Sequence, residues 1–183
     1  MRGLVVILLF ILAVLGWIFY RRTAKRPTVK SRPEVYAGLR AQMLQSTRAS
    51  FNLPPPSTPA APWGVLMDWG VGSGPATVVA VSDGTASVYL SNGGGYLGGG
   101  QAHESIRKAA QQAVSVAADA LPATHQTTDF PLPQRGEVMF YLLTDAGVFT
   151  ASALETEMGG HKHALSKLGN AMQEIITEYR RTQ

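Results

Sequence analysis

Residues 4–20 form an unbroken apolar run, LVVILLFILAVLGWIFY, near the start of a 183-residue chain. These seventeen uncharged residues are at the short end of what a helix needs to cross the hydrocarbon core of a bilayer. Trp17 and Tyr20 lie at the carboxyl end of the run, where amphipathic rings favour the headgroup layer. The run therefore predicts one transmembrane helix that begins near Leu4 and gives a membrane anchor over residues 1–22.

Basic residues are concentrated directly after this run. Arg21 and Arg22 follow it at once, and four more Lys or Arg occur before residue 33, against a single Arg ahead of the run. The positive-inside rule then places the carboxyl side in the cytoplasm. A cleaved signal peptide would carry its charges ahead of a shorter apolar stretch and end at a small-x-small site. A buried core helix would need a polar face. We therefore expect an inner-membrane protein with one span and a cytoplasmic carboxyl-terminal domain.

The charge is divided unevenly along the chain. Residues 1–60 hold nine Lys or Arg and one acid, whereas residues 61–183 hold seven bases and eleven acids. A nucleic-acid-binding domain would carry its basic patch on the folded part, which here is acidic, so we expect no nucleic-acid partner. The chain has no cysteine. This excludes disulfides, thiolate nucleophiles and cysteine-ligated metals.

Residues 31–50 predict a short amphipathic helix. The helical period places four apolar side chains on one face and leaves Arg40 and Gln42 elsewhere; the four are Val35, Tyr36, Leu39 and Met43. One interpretation is a helix at the membrane surface, with its basic residues near anionic lipid. The other is a helix packed on the domain or on a neighbouring subunit. Periodicity does not say what covers a face, so the four residues are candidate interface residues.

Five prolines occur within residues 52–62. Such a stretch is typical of a stiff, extended spacer. The predicted organisation is therefore the anchor, a basic juxtamembrane segment with a short helix and a proline-rich linker over residues 23–62, and a globular domain over residues 63–183.

The domain has hydrophobic patterns of both strands and helices. Strands are expected at residues 64–69, 77–81, 85–90, 137–143 and 148–154, and helices at 103–121 and 162–181. Short turns between the strands predict hairpins and hence a mainly antiparallel sheet. The fold class is α+β: five strands in the order βββαββα, with two helices on one face. This element order resembles the profilin-like or roadblock layout, whose members are mostly scaffolds and regulators.

The glycine segment, NGGGYLGGGQ at residues 92–101, holds six glycines in ten positions. It matches G-x-G-x-x-G, but a dinucleotide site also needs a second parallel strand ending in an acid about 20 residues on. That distance falls on Asp119, inside a predicted helix. Two interpretations remain. In one, the amides of Gly98, Gly99 and Gly100 hold an anion at a helix start, with Asn92 and His103 nearby. In the other, the glycines only allow the backbone to turn and pack closely.

Two further patterns suggest nucleophilic catalysis without completing it. Ser73 lies in a glycine cluster that does not match G-x-S-x-G, and a strand rather than a helix follows. Ser105 and Lys108 match S-x-x-K, but the companion motifs S-D-N and K-T-G are missing from the sequence.

Metal-ligating and acid–base residues are equally sparse. His161 and His163 have no accompanying H-E-x-x-H pattern and would need a third ligand from elsewhere. We expect His163 in the opening turn of the last helix. Glu155 and Glu157 are expected to share one strand face too closely to act as an acid and base pair. The sequence therefore predicts no enzyme, no resident metal and no cofactor.

Two hypotheses for function follow. The first is a non-catalytic accessory or assembly subunit, anchored by one span, whose cytoplasmic domain docks on a larger inner-membrane complex such as a photosynthetic, respiratory or secretion assembly. Its partners would be the lipid bilayer and other subunits of that complex. The second is an anchored sensor whose glycine segment, with Tyr96, lines an anion or nucleotide site. An enzyme ranks third.

Overall fold

The computed structural model describes residues 30–159 and 163–182. The predicted span, with Leu4, Trp17, Tyr20, Arg21 and Arg22, lies outside these residues. Within them, none of the helices combines the length and the apolar character that crossing a bilayer requires. Residues Arg32–Gln183 form one compact unit, which includes the segment ahead of Trp63.

Five α-helices and seven strands make up the described part of this unit, with short 3-10 turns at Arg48–Phe51 and Leu121–Ala123. In chain order they are α1 (Arg32–Leu44), β1 (Gly64–Val71), β2 (Gly74–Val81), β3 (Ala86–Leu90), β4 (Gly95–Leu97), α2 (Gly99–Ala102), α3 (Glu104–Ala120), β5 (His125–Thr127), β6 (Glu137–Thr144), β7 (Gly147–Leu154), α4 (Glu155–Met158) and α5 (Ser166–Arg181).

The strands form a single antiparallel sheet in the order β4-β3-β2-β1-β6-β7-β5. The hairpins β1-β2, β2-β3 and β6-β7 connect neighbours, and β1 pairs with β6 at the centre, with Leu66 opposite Tyr141. The α+β class and the antiparallel sheet are confirmed. The expected count of five strands is wrong, because β4 and β5 add one three-residue strand at each edge.

Helices α3 and α5 cover one face of the sheet, as expected. Small and apolar side chains along α3, such as Ile106, Ala110 and Ala113, are buried with Met172 and Ile175 of α5. Alanines on α3 let the helix backbone approach the sheet closely. This core joins β1, β2, β3 and β6 to the two helices.

The opposite face of the sheet is covered by α1, in agreement with the interpretation of residues 31–50 as a helix packed on the domain. Tyr36, Met43 and Leu44 are buried against apolar residues of β1, β2, β3 and β6. The covering helix explains why these strands are apolar on both faces. The buried stripe of α1 differs from the expected one, because Arg40 is only 8% exposed whereas Val35 is 46% exposed.

The proline-rich stretch, expected as a stiff, extended spacer, lies against the domain. The carbonyl of Pro59 accepts a hydrogen bond from the Ala146 amide at 2.8 Å. Upstream of it, Phe51 packs on Trp63 with ring centroids 5.9 Å apart. The stretch is not extended throughout, because the Ala61 amide donates to the Thr58 carbonyl at 3.0 Å in a turn. Its hydrogen bond to Ala146 shows that it lies on the surface of the same compact unit.

Candidate functional site

A buried polar cluster joins α1 to the sheet. Arg40 of α1 donates from Nε to Asp68 Oδ2 of β1 at 2.7 Å, and Asp68 is fully buried. The same guanidinium donates to the carbonyls of Phe130 and Pro131, each at 3.1 Å. Thr77 donates to the other carboxylate oxygen. Because every group is paired inside the protein, the cluster fixes the position of α1 rather than presenting a reactive group to solvent.

Burial sets the acid–base behaviour of this cluster. It raises the pKa of Asp68, against the lowering effects of the hydrogen bonds and charge of Arg40 and of the hydrogen bond from Thr77. Burial also raises the pKa of Tyr141 to about 12, again opposed by the charge of Arg40. The Tyr141 hydroxyl donates to the Pro131 carbonyl at 2.7 Å, while the Arg40 guanidinium carbon lies 5.3 Å from the centroid of the Tyr141 ring. Tyr141 is therefore a neutral donor near pH 7.

The glycine segment forms a tight turn and a close packing contact. Leu90 and Gly94 close the β3-β4 hairpin, in which Gly94 adopts φ +86°. At the start of α2, a Cβ on Gly100 would lie 1.8 Å from the carbonyl oxygen of Gly84. Only glycine allows the two backbones to approach so closely. Both features agree with the interpretation in which the glycines only allow the backbone to turn and pack closely.

The amides proposed for an anion are largely engaged within the protein. The Gly98 amide donates to the Ser87 hydroxyl at 3.2 Å, and the Gly99 amide donates to the Tyr179 hydroxyl at 2.9 Å. Helix α2 is a single turn of four residues. His103, the residue between α2 and α3, is exposed. Asn92 is also exposed, and its carbonyl accepts a hydrogen bond from Arg32 at 3.4 Å.

The largest exposed apolar side chains of the described residues include a group at β4. Leu90 is 36% exposed, Tyr96 38% and Leu97 66%. We call these three residues the apolar edge. Tyr96 stacks on Tyr179 of α5 with ring centroids 4.9 Å apart. The other edge strand, β5, is His125–Thr127 and carries polar side chains instead. The two edges of the sheet therefore differ in chemistry.

The backbone of β4 also offers hydrogen-bonding groups that are unused among the described residues. The Leu90 amide donates to the Gly94 carbonyl, and Tyr96 is opposite Val88 two residues further along. Hydrogen-bonded pairs alternate along an antiparallel ladder. Tyr96 therefore pairs with β3, whereas Gly95 and Leu97 direct their N–H and C=O groups away from it. A sheet edge of this kind can accept another strand.

The residues of the two incomplete nucleophile patterns are not brought together. Lys108 pairs with Glu104 at 2.8 Å, both largely exposed, while Ser105 hydrogen-bonds Glu178 and lowers its pKa. Ser73 lies in the turn between β1 and β2, as expected. The described residues include no group of three His, Asp or Glu arranged to hold a metal.

The residues around the last two helices depart from expectation. Glu155 and Glu157 belong to α4 rather than to a strand. Helix α5 begins at Ser166, so His163 precedes it, and its Nδ1 accepts the Leu165 amide at 3.2 Å. His161 lies outside the described residues.

A cleft of about 190 Å³ opens between α1 and strands β2 and β3. Leu39 and Met43 of α1 line it, together with Phe51, Val79 and Tyr89. The other lining residues are uncharged: Gln42, Ser46, Thr85 and Ser87. The cleft therefore offers apolar contact and hydroxyl groups but no acid–base pair. Of the four candidate interface residues, Tyr36 and Met43 are buried in the domain itself, Leu39 is half-buried and Val35 is exposed.

A comparison of the chain with protein-family models, with curated proteins and with solved structures found no match in any of the three. The resemblance to the profilin-like or roadblock layout is thus one of element order alone. Sequence reasoning missed Leu90 and Leu97 as surface residues, and Arg40 and Asp68 as a pair. The alternation Gly95-Tyr96-Leu97 is the signal for β4, but it is hidden within a glycine-rich tract.

Proposed function

We propose that this chain is a single-pass, membrane-anchored accessory subunit, without catalysis of its own, of a larger inner-membrane complex. Its carboxyl-terminal domain lies on the cytoplasmic side and docks on a protein partner. The observation that carries the proposal is the apolar edge, where Leu90, Tyr96 and Leu97 are exposed beside unused backbone groups of β4. Exposed apolar side chains next to an open strand favour a protein ligand, specifically an added β-strand.

The way the domain begins supports an anchored arrangement. Eleven residues, 21–31, separate the predicted span from α1. Helix α1 is fixed to the sheet by the Arg40–Asp68 pair and by the Tyr36–Thr77 hydrogen bond at 2.9 Å. A short basic segment followed at once by a firmly packed helix suits a domain held at a membrane surface, where anionic lipid attracts Lys and Arg.

The hydrogen bonding of the buried polar groups favours an accessory subunit over an anion sensor. Among the described residues, every buried side-chain nitrogen and oxygen has a hydrogen-bond partner within the protein. The Gly98 and Gly99 amides are likewise engaged by Ser87 and Tyr179. A ligand that used these amides would first have to break the hydrogen bond of Gly98 to β3 and that of Gly99 to α5.

Co-purification tests the proposal. Tagged full-length chain is extracted from its native membranes in mild detergent, and bound proteins are identified by mass spectrometry. We expect the wild type to bring down stoichiometric membrane partners, with a differently tagged second copy of the chain counted among them, and Leu97→Lys to lose them. The matched control is Val35→Lys, which places the same charge at an exposed aliphatic residue of α1. Wild-type chain that purifies alone as a monomer would contradict the proposal, and loss of partners with Val35→Lys alone would move the docking site to α1.

Topology is tested separately. Because the chain has no cysteine, Ser73→Cys in the exposed β1-β2 turn gives one label site. We expect a membrane-impermeant maleimide to label it only after the cells are permeabilised. Labelling of intact cells would place the domain on the other side of the membrane.

A further inference from the structure

We infer that the strand that docks on β4 is the β4 of a second copy of this chain, so that the subunit is a membrane-dependent homodimer. This inference rests on the proposed function, because it names the partner at the same apolar edge. The observation behind it is that residues 95–97 of one copy match the same residues of a second copy, both in backbone hydrogen bonding and in side-chain size.

Backbone hydrogen bonding gives the first argument. Gly95 and Leu97 each direct one N–H and one C=O away from β3. If two copies pair antiparallel about a two-fold axis at Tyr96, Gly95 of one copy lies opposite Leu97 of the second. Each such pair then exchanges two hydrogen bonds, which satisfies all the outward groups of both strands. The register needs no shift or bulge.

Side-chain size gives the second argument. In this register Leu97, 66% exposed in one copy, lies opposite Gly95 of the second copy, where no side chain opposes it. Tyr96, between Gly95 and Leu97, is directed to the face of the sheet that α5 covers. Tyr96 therefore meets Tyr96 of the second copy across the axis, extending the stack on Tyr179. Aromatic cross-strand pairs of this kind stabilise sheets.

The position of the chain's amino-terminal part gives the third argument. The two-fold axis of an antiparallel strand pair is normal to the sheet, so α1 of both copies lies on the same face of the joint sheet. The chain enters each α1 at Arg32, directly after the segment that follows the predicted span. Two chains anchored in one bilayer need their entry points on the same side, and this symmetry provides it.

The small size of the edge explains why anchoring matters. β4 has three residues, so the contact is well below the roughly 1,200 Å² of a stable soluble interface. Short edge strands also limit unwanted pairing of free chains. Confinement in a membrane raises the effective concentration of one copy around another, which favours a contact that is weak in solution.

Disulfide cross-linking in native membranes tests the inference, on a chain that has no other cysteine. Residues at position 96 form a non-hydrogen-bonded pair with Cα atoms about 4.5 Å apart, which is within disulfide range. We expect Tyr96→Cys to give a covalent dimer on mild oxidation. The matched control is Gln126→Cys, the central residue of the opposite edge strand β5, and we expect about tenfold less dimer there. Equal cross-linking of both would overturn the inference.

Maleimide labelling of Tyr96→Cys in the same membranes separates this inference from the proposed function. A cysteine that is protected yet does not cross-link means that another protein covers the edge, which overturns the homodimer and leaves the accessory subunit intact. A cysteine that is freely labelled and does not cross-link overturns both.

A second measurement avoids the loss of the Tyr96 ring. Native mass spectrometry of the full chain in lipid nanodiscs should give dimers for the wild type. Leu97→Lys changes an exposed residue, so the fold is kept, and we expect the dimer fraction to fall about tenfold because both copies lose their leucine contact. A wild-type chain that is monomeric in nanodiscs, or a Leu97→Lys chain as dimeric as the wild type, would overturn the inference.

Discussion

Replacing Arg40 with methionine isolates the energetics of the buried ion pair. Arg40→Met leaves an apolar chain of similar length in α1 but removes the cation that faces Asp68. Asp68 is fully buried and keeps only the hydrogen bond from Thr77. The carboxyl group then remains buried as the neutral acid, because a lone buried carboxylate is far more costly.

The magnitude follows from the protonation that this requires. An aspartate whose ordinary pKa is about 3.9 is ionised at pH 7, and keeping it protonated there costs about 4 kcal/mol, at about 1.4 kcal/mol per pH unit. The Phe130 carbonyl also loses its donor, which adds about 1 kcal/mol. Packing of the methionine offsets part of this. We therefore expect the free energy of unfolding to fall by about 3–5 kcal/mol at pH 7.

The pH dependence gives a sharper signature. Without Arg40 the folded-state pKa of Asp68 lies well above its unfolded value, so its contribution to stability is present below the unfolded pKa and is lost as the pH rises. Relative to the wild type, the variant should recover about 2–3 kcal/mol between pH 7 and pH 5. Asp68→Asn in the same background removes the titrating group and should flatten this dependence.

Urea unfolding of the full chain in mild detergent, followed by its tryptophan fluorescence, to which the buried Trp63 contributes, measures these values. Arg48→Met is the matched control, because Arg48 pairs with Asp145 at 3.1 Å in a partly exposed position. Its loss should cost less than about 1 kcal/mol. If Arg40→Met costs no more than Arg48→Met, or costs the same at both pH values, α1 is not seated on the sheet as described.

Three further outcomes are expected. Because the folded pKa of Tyr141 is raised to about 12, its contribution to stability is present below the ordinary tyrosine pKa of about 10 and is lost as the pH rises to about 12. In urea unfolding at pH 9 and 11, Tyr141→Phe should reduce this alkaline loss of stability. Near pH 7 the same variant should cost about 1 kcal/mol, because it lacks the hydrogen bond to Pro131. An unchanged alkaline profile would contradict the burial of this hydroxyl. Gly100→Ala should destabilise by at least about 1–3 kcal/mol through its clash with Gly84, whereas Gly38→Ala, with open space in α1, should stabilise by about 0.5–1 kcal/mol; similar melting shifts for the two would refute the close packing. Millimolar phosphate or nucleotide should leave the melting temperature unchanged, and a rise would reinstate the anion site at the glycine segment.

Much of the domain could be predicted from local pattern. The hairpins β1-β2, β2-β3 and β6-β7 and the helices α3 and α5 follow from apolar periodicity and glycine-containing turns, and their observed bounds differ from expectation by only a few residues. The two edge strands could not be predicted in this way. Three residues give too short an alternation to recognise, and in β4 the glycines around Tyr96 resemble a loop.

Long-range contacts explain the other differences. Helical periodicity treats Arg40 as a polar residue and therefore predicts that it faces solvent. It cannot show that Arg40 is buried beside Asp68, because this partner is distant in sequence. The same pattern placed Val35 on the buried face, although the structure turns it outward. Proline content predicts an extended chain at residues 52–62, but not the strand ends on which that chain lies. The apolar edge depends on which strand ends the sheet, which is a property of topology.

The seating of α1 has a practical consequence for how the domain is dissected. A fragment cut at Trp63, where composition alone puts the boundary, would lack the helix that shields Leu66, Val79 and Tyr141. It would also leave the Asp68 carboxyl without its counter-ion. We expect such a fragment to aggregate, because this apolar face of the sheet is exposed. A fragment that starts at or before Arg32 keeps the covering helix. The useful cloning boundary therefore lies about thirty residues upstream of the end of the proline-rich stretch.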